Sequence, residues 1–424
     1  MTHRERMALT LNHKQPDRTA LDLGATTQTG MNASTLYKLR AALGLEQHPI
    51  KIIEPYQMLG EIEPDLAELL EVDGSGIYNY YNMLGYANDD WKPWQMPDGT
   101  PVLMGGSFEY ETEEGSGNIL VFPGRDRHQQ PSCVMPAGGS FFDNIERCKS
   151  YDEELLDGRK DFKDDFTVAD DITAKRWEQD SRFLYENTEF SLVGILGGGS
   201  FGDVSIIPGP SVKDPKGVRT VEGWLMAHAL YPDYIREIFS YQKEVMLKNL
   251  EIYKQAVGDR IQTIWVSGTD LGTQNGTFIA PSQFRELYKP FFKEVNDWIH
   301  HNTSWKIFYH TCGCITPLLD DLAEIGVDCL NPVQISAMEN MGMTAKKLKA
   351  EYGDKFVFWG GGVDTQRVLP FGTPDEVREQ TKERVEIFSK GGGFVFSTIH
   401  NVVSNVPVEN VIAMYETVLG KSLR

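Results

Sequence analysis

Short apolar runs alternate with helical spacing along most of the chain. In order they are TALDLG (19–24), GIYNYY (76–81), FSLVGILGGG (190–199), IQTIWVSGTDLG (261–272), WKIFYHTCG (305–313), VDCLNPVQ (327–334), FVFWGGGVD (356–364) and GFVFSTIHN (393–401). Each is β-branched or aromatic in character and ends in a turn, as a buried strand does. Strands separated by helical stretches predict parallel βαβ units. Eight of them predict an α/β fold of the (β/α)8 TIM-barrel type rather than an open sheet. The later helices carry start signals: Pro281, Thr316-Pro317, and the capping box Thr373-Pro374-Asp375-Glu376.

The spacing breaks down between the second and third runs. Residues 82–189 do not fit one βα unit and are expected to form an insertion over one barrel end, so that 1–424 is a single barrel carrying that insertion. Within it, DDWKPWQMPDGTPVLMGGSFEYETEEGSGNILVFPG predicts antiparallel hairpins around Asp98-Gly99 and Gly115, and ERCKSYDEELLDGRKDFKDDF predicts polar helix. The N-terminal stretch has no apolar segment followed by a cleavage site. It predicts an amphipathic helix capped by Thr2 with Glu5, and a cytoplasmic protein.

Composition narrows the function classes. Apolar residues make up 41% and charged residues 24% of the 424, with no run long enough to span a bilayer, so a soluble protein without membrane association is expected. Forty-one basic against 61 acidic residues give a net charge of −20, which repels phosphate backbones and argues against nucleic acid as a partner. Five cysteines, at 133, 148, 312, 314 and 329, have no framework spacing and are expected to be reduced thiols.

Candidate chemistry follows from the fold. Active sites of such barrels lie at the C-terminal ends of the strands. The polar residues ending the later runs are Asp270 and Gln274, His310 and Cys312, Asn331 and Gln334, Asp364, and His400 and Asn401. His310 and Cys312, two apart, leave an extended segment on the same side, and His400 closes the set from the eighth strand. Imidazole and thiolate are good zinc ligands, and three protein ligands with one open position is the catalytic arrangement, so His310, Cys312 and His400 are expected to hold one Zn2+. Whether Cys314 shares that face depends on the chain staying extended past Gly313. Cys329 lies inside its strand and is read as core. Asp270 is expected in the same site, as a fourth ligand or as a group orienting an imidazole or the substrate. Its plainer role is capping the turn at Gly272. Gln274, Asn331, Gln334, Asp364 and Asn401 are expected to line the pocket and position substrate.

Two glycine-rich stretches need no ligand. GILGGGSFG (194–202) reads as a tight strand-to-loop turn in preference to an anion cradle, and WGGG (359–362) as close backbone passage. Neither a phosphate loop nor a full dinucleotide fingerprint is present, so nucleotide cofactors are not indicated.

Several of these strings together resemble the uroporphyrinogen decarboxylase superfamily, in particular its zinc-dependent, corrinoid-linked methyltransferase branch. They are the opening T-x-x-E-R with PDR at 16–18, SGTDLGTQ, HTCG at 310–313, GVDCLNPVQ, FWGGGVDTQ and HNVVSNVPVENV. The resemblance implies a (β/α)8 barrel and methyl transfer between a small substrate and a protein-bound cobalamin. It matches His310 and Cys312 to a His-x-Cys zinc pair, while the third ligand, a cysteine in that branch, falls at His400. A His2Cys site carries one negative charge fewer and leaves the metal a stronger Lewis acid, which favours demethylation of a methoxylated or otherwise methylated substrate over thiol activation. The decarboxylase itself is a weaker match. Its arginine-containing R-Q-A-G-R motif would fall near LDLGATTQTG, where no arginine stands between Arg18 and Arg40.

Metal-free decarboxylation and a non-catalytic ligand-binding barrel remain the alternatives. The string closest to a cobalamin-binding signature of the Asp-x-His-x-x-Gly kind is DRHQQP (126–131), with Pro131 where glycine is required. The corrinoid is therefore expected on a separate partner protein. A homodimer is left open, as are the identity of the methylated substrate and the direction of transfer.

Overall fold

A computed structural model describes residues 1–423. Arg424, the last residue of the expected barrel, lies outside them. Eight strands form one sheet: β1 (Ala20–Leu21), β2 (Gly74–Ile77), β3 (Ser191–Ile195), β4 (Thr263–Ser267), β5 (Lys306–His310), β6 (Cys329–Asn331), β7 (Val357–Trp359) and β8 (Phe394–Phe396). Every pairing from β2 through β8 and on to β1 is parallel. At the seam no ladder forms between β1 and β2. Asp73 closes it instead, its N–H donating to Leu21 O and its carboxylate accepting from Leu21 N–H, both at 2.8 Å. With helices between successive strands this is the (β/α)8 TIM barrel. Each strand falls in one of the eight apolar runs, although β2 starts earlier than expected and ends at Ile77, Tyr78 to Tyr81 having left the sheet.

Period-two alternation fills the barrel. Ala20, Val193, Phe308, Cys329, Val357, Trp359 and Val395 form the interior, while Ile307, Tyr309, Phe358, Phe394 and Phe396 pack outward against the helices. Cys329 is thus core. The N-terminal helix, His3–Leu11, with the Thr2/Glu5 capping box in place, inserts Met7 and Leu11 among the interior residues. It plugs the end at which the strands begin.

That end is held by one buried carboxylate. Asp73 accepts from Arg6, Arg18 and His3, each at 2.7 Å, while Arg6 also grips Asp17 through two nitrogens at 2.7 and 2.9 Å. The opening T-x-x-E-R and PDR strings therefore build the barrel base and stand apart from the mouth.

The insertion pairs as hairpins where turns were expected. Strand 92–95 pairs antiparallel with 101–104 around Asp98-Gly99, and 111–112 with 119–120 around Gly115. Residues 101–104 also pair with Ile50–Glu54, so the long connection is tied to the one between β1 and β2. One expectation fails: between 146 and 166 there is only a short turn at Glu153–Leu155 and one helical turn at Gly158–Asp161. Long-range contacts hold that segment, Arg219 pairing with Asp165 at 2.7 Å and stacking on Phe162 at 3.9 Å, and its polar sequence lacks an apolar helical face. The regular helix of this region is Asp171–Asn187. Among the described residues no helix is long and apolar enough to cross a membrane.

Burial works to raise the Asp73 carboxyl, but the hydrogen bond from His3 and the charge of Arg18 outweigh it and hold the group below its ordinary value. A depressed carboxylate stabilises the fold above its unfolded pKa and ceases to do so as pH falls through the folded one. Asp73→Asn is expected to cost about 3–5 kcal/mol in urea unfolding at neutral pH, because it removes the buried charge that Arg6 and Arg18 share at the base. The difference from the parent should shrink in acid. Equal stability of parent and variant at neutral pH would show that Asp73 does not hold the seam.

Candidate metal centre at the barrel mouth

Because Phe308 points inward on β5, His310, two residues on, also points inward at the mouth. The strand then ends in a tight turn. Gly313 has a φ of +85°, and a Cβ there would lie 2.3 Å from the backbone of Gly272. The two backbones are joined by Gly272 N–H to Cys312 O at 3.1 Å and Cys314 N–H to Thr273 O at 2.7 Å. This contact folds the chain back after Cys312. Cys312 stays beside His310, with Sγ 3.2 Å from Nε2, while Cys314 turns away and is buried against Thr316. His400 arrives from the loop after β8, its ring centroid 5.1 Å from that of His310. One donor atom from each of His310, Cys312 and His400 lies within 4.8 Å of the others. Among the described residues this is the one cluster of at least three such groups placed to share a metal ion.

The donors suit a divalent metal. Asn331 sits opposite His310 across the β5–β6 pair, and its side-chain oxygen accepts from Nδ1, which leaves the Nε2 lone pair free toward Cys312. The amide is itself oriented by donating to Trp359 O at 2.8 Å. Burial pushes the His310 imidazole down to about 4. Burial together with the charge of His310 takes His400 to about 4 as well. Both rings are therefore neutral near pH 7. The Cys312 thiol is driven well above its ordinary value by burial and by the nearby charge of Asp270. A bound cation reverses that balance, since a coordinating thiol gives up its proton. His400 is the least prepared of the three: its Nδ1 accepts from Asn401 N–H at 2.8 Å, so the neutral ring carries its proton on Nε2. All five cysteines are free thiols.

Asp270 stands beside this cluster, accepting from Cys312 N–H at 2.8 Å, with His310 Nε2 at 3.7 Å. It orients the Cys312 backbone, in place of the turn-capping role. The other expected pocket residues do different work. Gln334 accepts from Gly313 N–H at 2.8 Å and donates to an exposed Gln274 at 3.4 Å, fastening the mouth loops from behind. Asp364 accepts from Gln366 and Arg367 N–H at 2.7 and 3.0 Å as a turn cap. Asn401 bridges Gly30, Thr27 and Gln57 at 2.7 to 2.9 Å, tying the loops after β8 and β1. None of Gln274, Asn331, Gln334, Asp364 and Asn401 lines the cavity over the cluster. All five sit at strand mouths as expected, but their side chains are spent on backbone groups and neighbouring side chains, which alternation alone does not reveal.

The cavity itself has a volume of about 440 Å³ and is floored by His310, His400 and Asp270. Tyr56, Tyr78, Tyr81, Phe166 and Trp265 supply aromatic wall, and Glu54, Asp165, Asp203 and Asp270 are its carboxyl groups. No lysine or arginine is among the described residues lining it. Asp165 is neutralised by Arg219, and Glu54 accepts from Tyr56 and Gln57 N–H at 2.8 Å. Burial raises Glu54 to about 7, and burial with the charge of Asp270 raises Asp203 to about 7. Trp265 Nε1 and Gln28 Oε1, on residues of this wall, are buried with no hydrogen-bond partner among the described residues. Sequence reasoning missed Asp203, Glu54, Trp265 and Gln28. For Asp203 a signal existed: it follows GILGGGSFG, whose glycines turn the loop tightly against Trp265 and Val266 and carry Asp203 to the cavity.

The uroporphyrinogen decarboxylase (URO-D) family model matches residues 216–420, a span holding β4 to β8 and all three donors of the cluster. Among solved structures, a methyltransferase from Methanosarcina mazei is similar over 99% of this chain and 99% of its own, with a TM-score of 0.55 at 17% identity. At that identity the likeness concerns the fold. A protein assigned as a glycerophosphoryl diester phosphodiesterase from Silicibacter pomeroyi covers 100% of both chains at 10% identity, but its TM-score of 0.32 carries no argument. No curated protein matches the chain.

Asn331→Ala should weaken zinc binding about 10- to 100-fold, since it frees the ring of His310 without removing a donor. Competition titration against a chromophoric chelator measures this. An unchanged affinity would mean that Asn331 does not preset the ligand.

Proposed function

From a barrel of the uroporphyrinogen decarboxylase superfamily, we propose that this chain is a methyltransferase moving a methyl group between a small methylated substrate and a cobalamin carried by a separate corrinoid protein, with methoxylated substrates favoured. The observation that carries the reading is the His310, Cys312 and His400 donor set at the floor of an aromatic-walled cavity that His310 and His400 line. Zinc held by these three side chains supplies Lewis acidity toward the leaving oxygen. Asn331 and Asp270 keep His310 and Cys312 in place, and the aromatic wall excludes water and packs a methoxylated ring. Sequence at 126–131 offers no cobalamin-binding motif, so the corrinoid arrives as a co-substrate on its partner and docks over the mouth.

The cavity wall weighs against the alternative of porphyrinogen decarboxylation. A polycarboxylate would meet Glu54, Asp203 and Asp270 with no lining lysine or arginine as counter-charge. The binding-only alternative does not account for two neutral imidazoles and a thiol brought together beside a carboxylate.

Purified chain should contain one zinc and show no corrinoid absorption of its own. Methyl transfer from a methoxyarene should require an added reduced corrinoid protein. Cys312→Ser should lose both metal and transfer. Full activity in metal-free protein, or turnover without added corrinoid, would overturn the assignment.

A further inference from the structure

Methyl-ether cleavage leaves an oxygen that must be protonated, and none of the three metal donors has a proton to give: both imidazoles are neutral and the thiol becomes a ligand. The cavity holds four carboxyl side chains. Asp165 is committed to Arg219. Asp270 is committed to the Cys312 backbone beside the donors. Both oxygens of Glu54 accept from backbone N–H groups, and its charge is felt by Tyr56, Tyr78 and Tyr86 on another wall. Asp203 remains. It is buried on the wall of the cavity that His310, His400 and Asp270 floor; the charge of Asp270 acts on it, and its own charge is felt by Cys312 and Tyr288, which puts it on the side of the metal donors. Among the described residues no arginine or lysine is hydrogen-bonded to it. Its contacts are with Ser205 alone among side chains: Ser205 N–H donates to Oδ1 at 3.1 Å, and the Ser205 hydroxyl lies 2.9 Å from Oδ2. Ser205 also lines the cavity, so its hydroxyl can take a proton from the carboxyl and pass one on.

We propose that Asp203, acting directly or through the Ser205 hydroxyl, is the general acid that protonates the leaving oxygen of a methoxylated aromatic substrate. The C–O bond breaks with its electron pair going to oxygen. The methyl group passes to the cobalt(I) centre of the partner's reduced corrinoid, forming the Co–C bond, and the proton of the Asp203 carboxyl goes to the oxygen to give a phenol. Water then reprotonates Asp203. Burial and the charge of Asp270, which shares the cavity, support the protonated form at rest by holding the carboxyl near 7. The glycine-rich loop after β3, which the metal site leaves unexplained, thereby has a use in delivering Asp203. The inference rests on the methyl-ether reading given above.

The test is a series of ring-substituted methyl phenyl ethers whose phenols span a range of acidity, with zinc-loaded chain and reduced corrinoid protein. Wild type should depend weakly on phenol acidity. Asp203→Asn should retain zinc and lose about 10²- to 10⁴-fold on the least acidic phenols, the loss shrinking as the leaving phenol becomes more acidic. Ser205→Ala, which keeps the carboxyl, should show the same trend with a smaller loss. Infrared difference spectra of wild type against Asp203→Asn at neutral pH should show a protonated-carboxyl band. A uniform loss across the series in both variants, or no loss, overturns the role of Asp203 alone. Zinc-loaded wild type that cleaves none of the ethers overturns the methyl-ether reading and this role together.

Discussion

The inward alternation of β5 is the constraint on which the rest of the site depends. A closed barrel has room inside for every second side chain, and Phe308 occupies that room among Val193, Cys329 and Val357. His310 must then point the same way one step higher, where the barrel opens. A one-residue register slip of β5 would turn it toward the helices and separate it from Asn331, its partner in the ladder. A core-packing choice at 308 thus fixes the aim of a metal-competent side chain at 310.

The same economy runs around the mouth. Polar residues at the strand ends divide into a few that face the cavity and a larger group that holds them. Asn331 presets a tautomer, Gln334 pins the turn at Gly313, Asn401 ties loops after β8 and β1, and Asp364 caps a turn. The backbone contact between Gly272 and Gly313 separates two cysteines only two residues apart, keeping Cys312 at the donors and removing Cys314 into the core. At the opposite end the charged network around Asp73 closes the seam that no ladder closes. Stability and chemistry are therefore set at different ends of the barrel, as the fold allows.

The cavity gives the barrel its chemical character. Its wall is aromatic with buried carboxyls, and no lysine or arginine is among the described residues lining it, so anions are disfavoured. Two lining carboxyls, Glu54 and Asp203, stand near 7, where each can hold a proton at working pH.

By itself the sequence determined the strands, the barrel and the metal-competent cluster. Apolar runs of strand length, helix caps such as Thr373 to Glu376, and the H-x-C spacing are local features, written in residues that are near one another in the chain and bound by the periods of helix and strand. Tertiary structure alone decided the rest. Which strand-end residues face the cavity depends on what lies across from them, and Gln274, Asn331, Gln334, Asp364 and Asn401 all found partners contributed by other loops. Asp203 and Glu54 come from connections whose path no periodicity describes, and the segment 146–166 takes its shape from Arg219 rather than from helical propensity. Burial, which moves the carboxyls and imidazoles from their ordinary values, is a property of the closed cavity, and it exists only once residues more than a hundred positions apart have been packed around it.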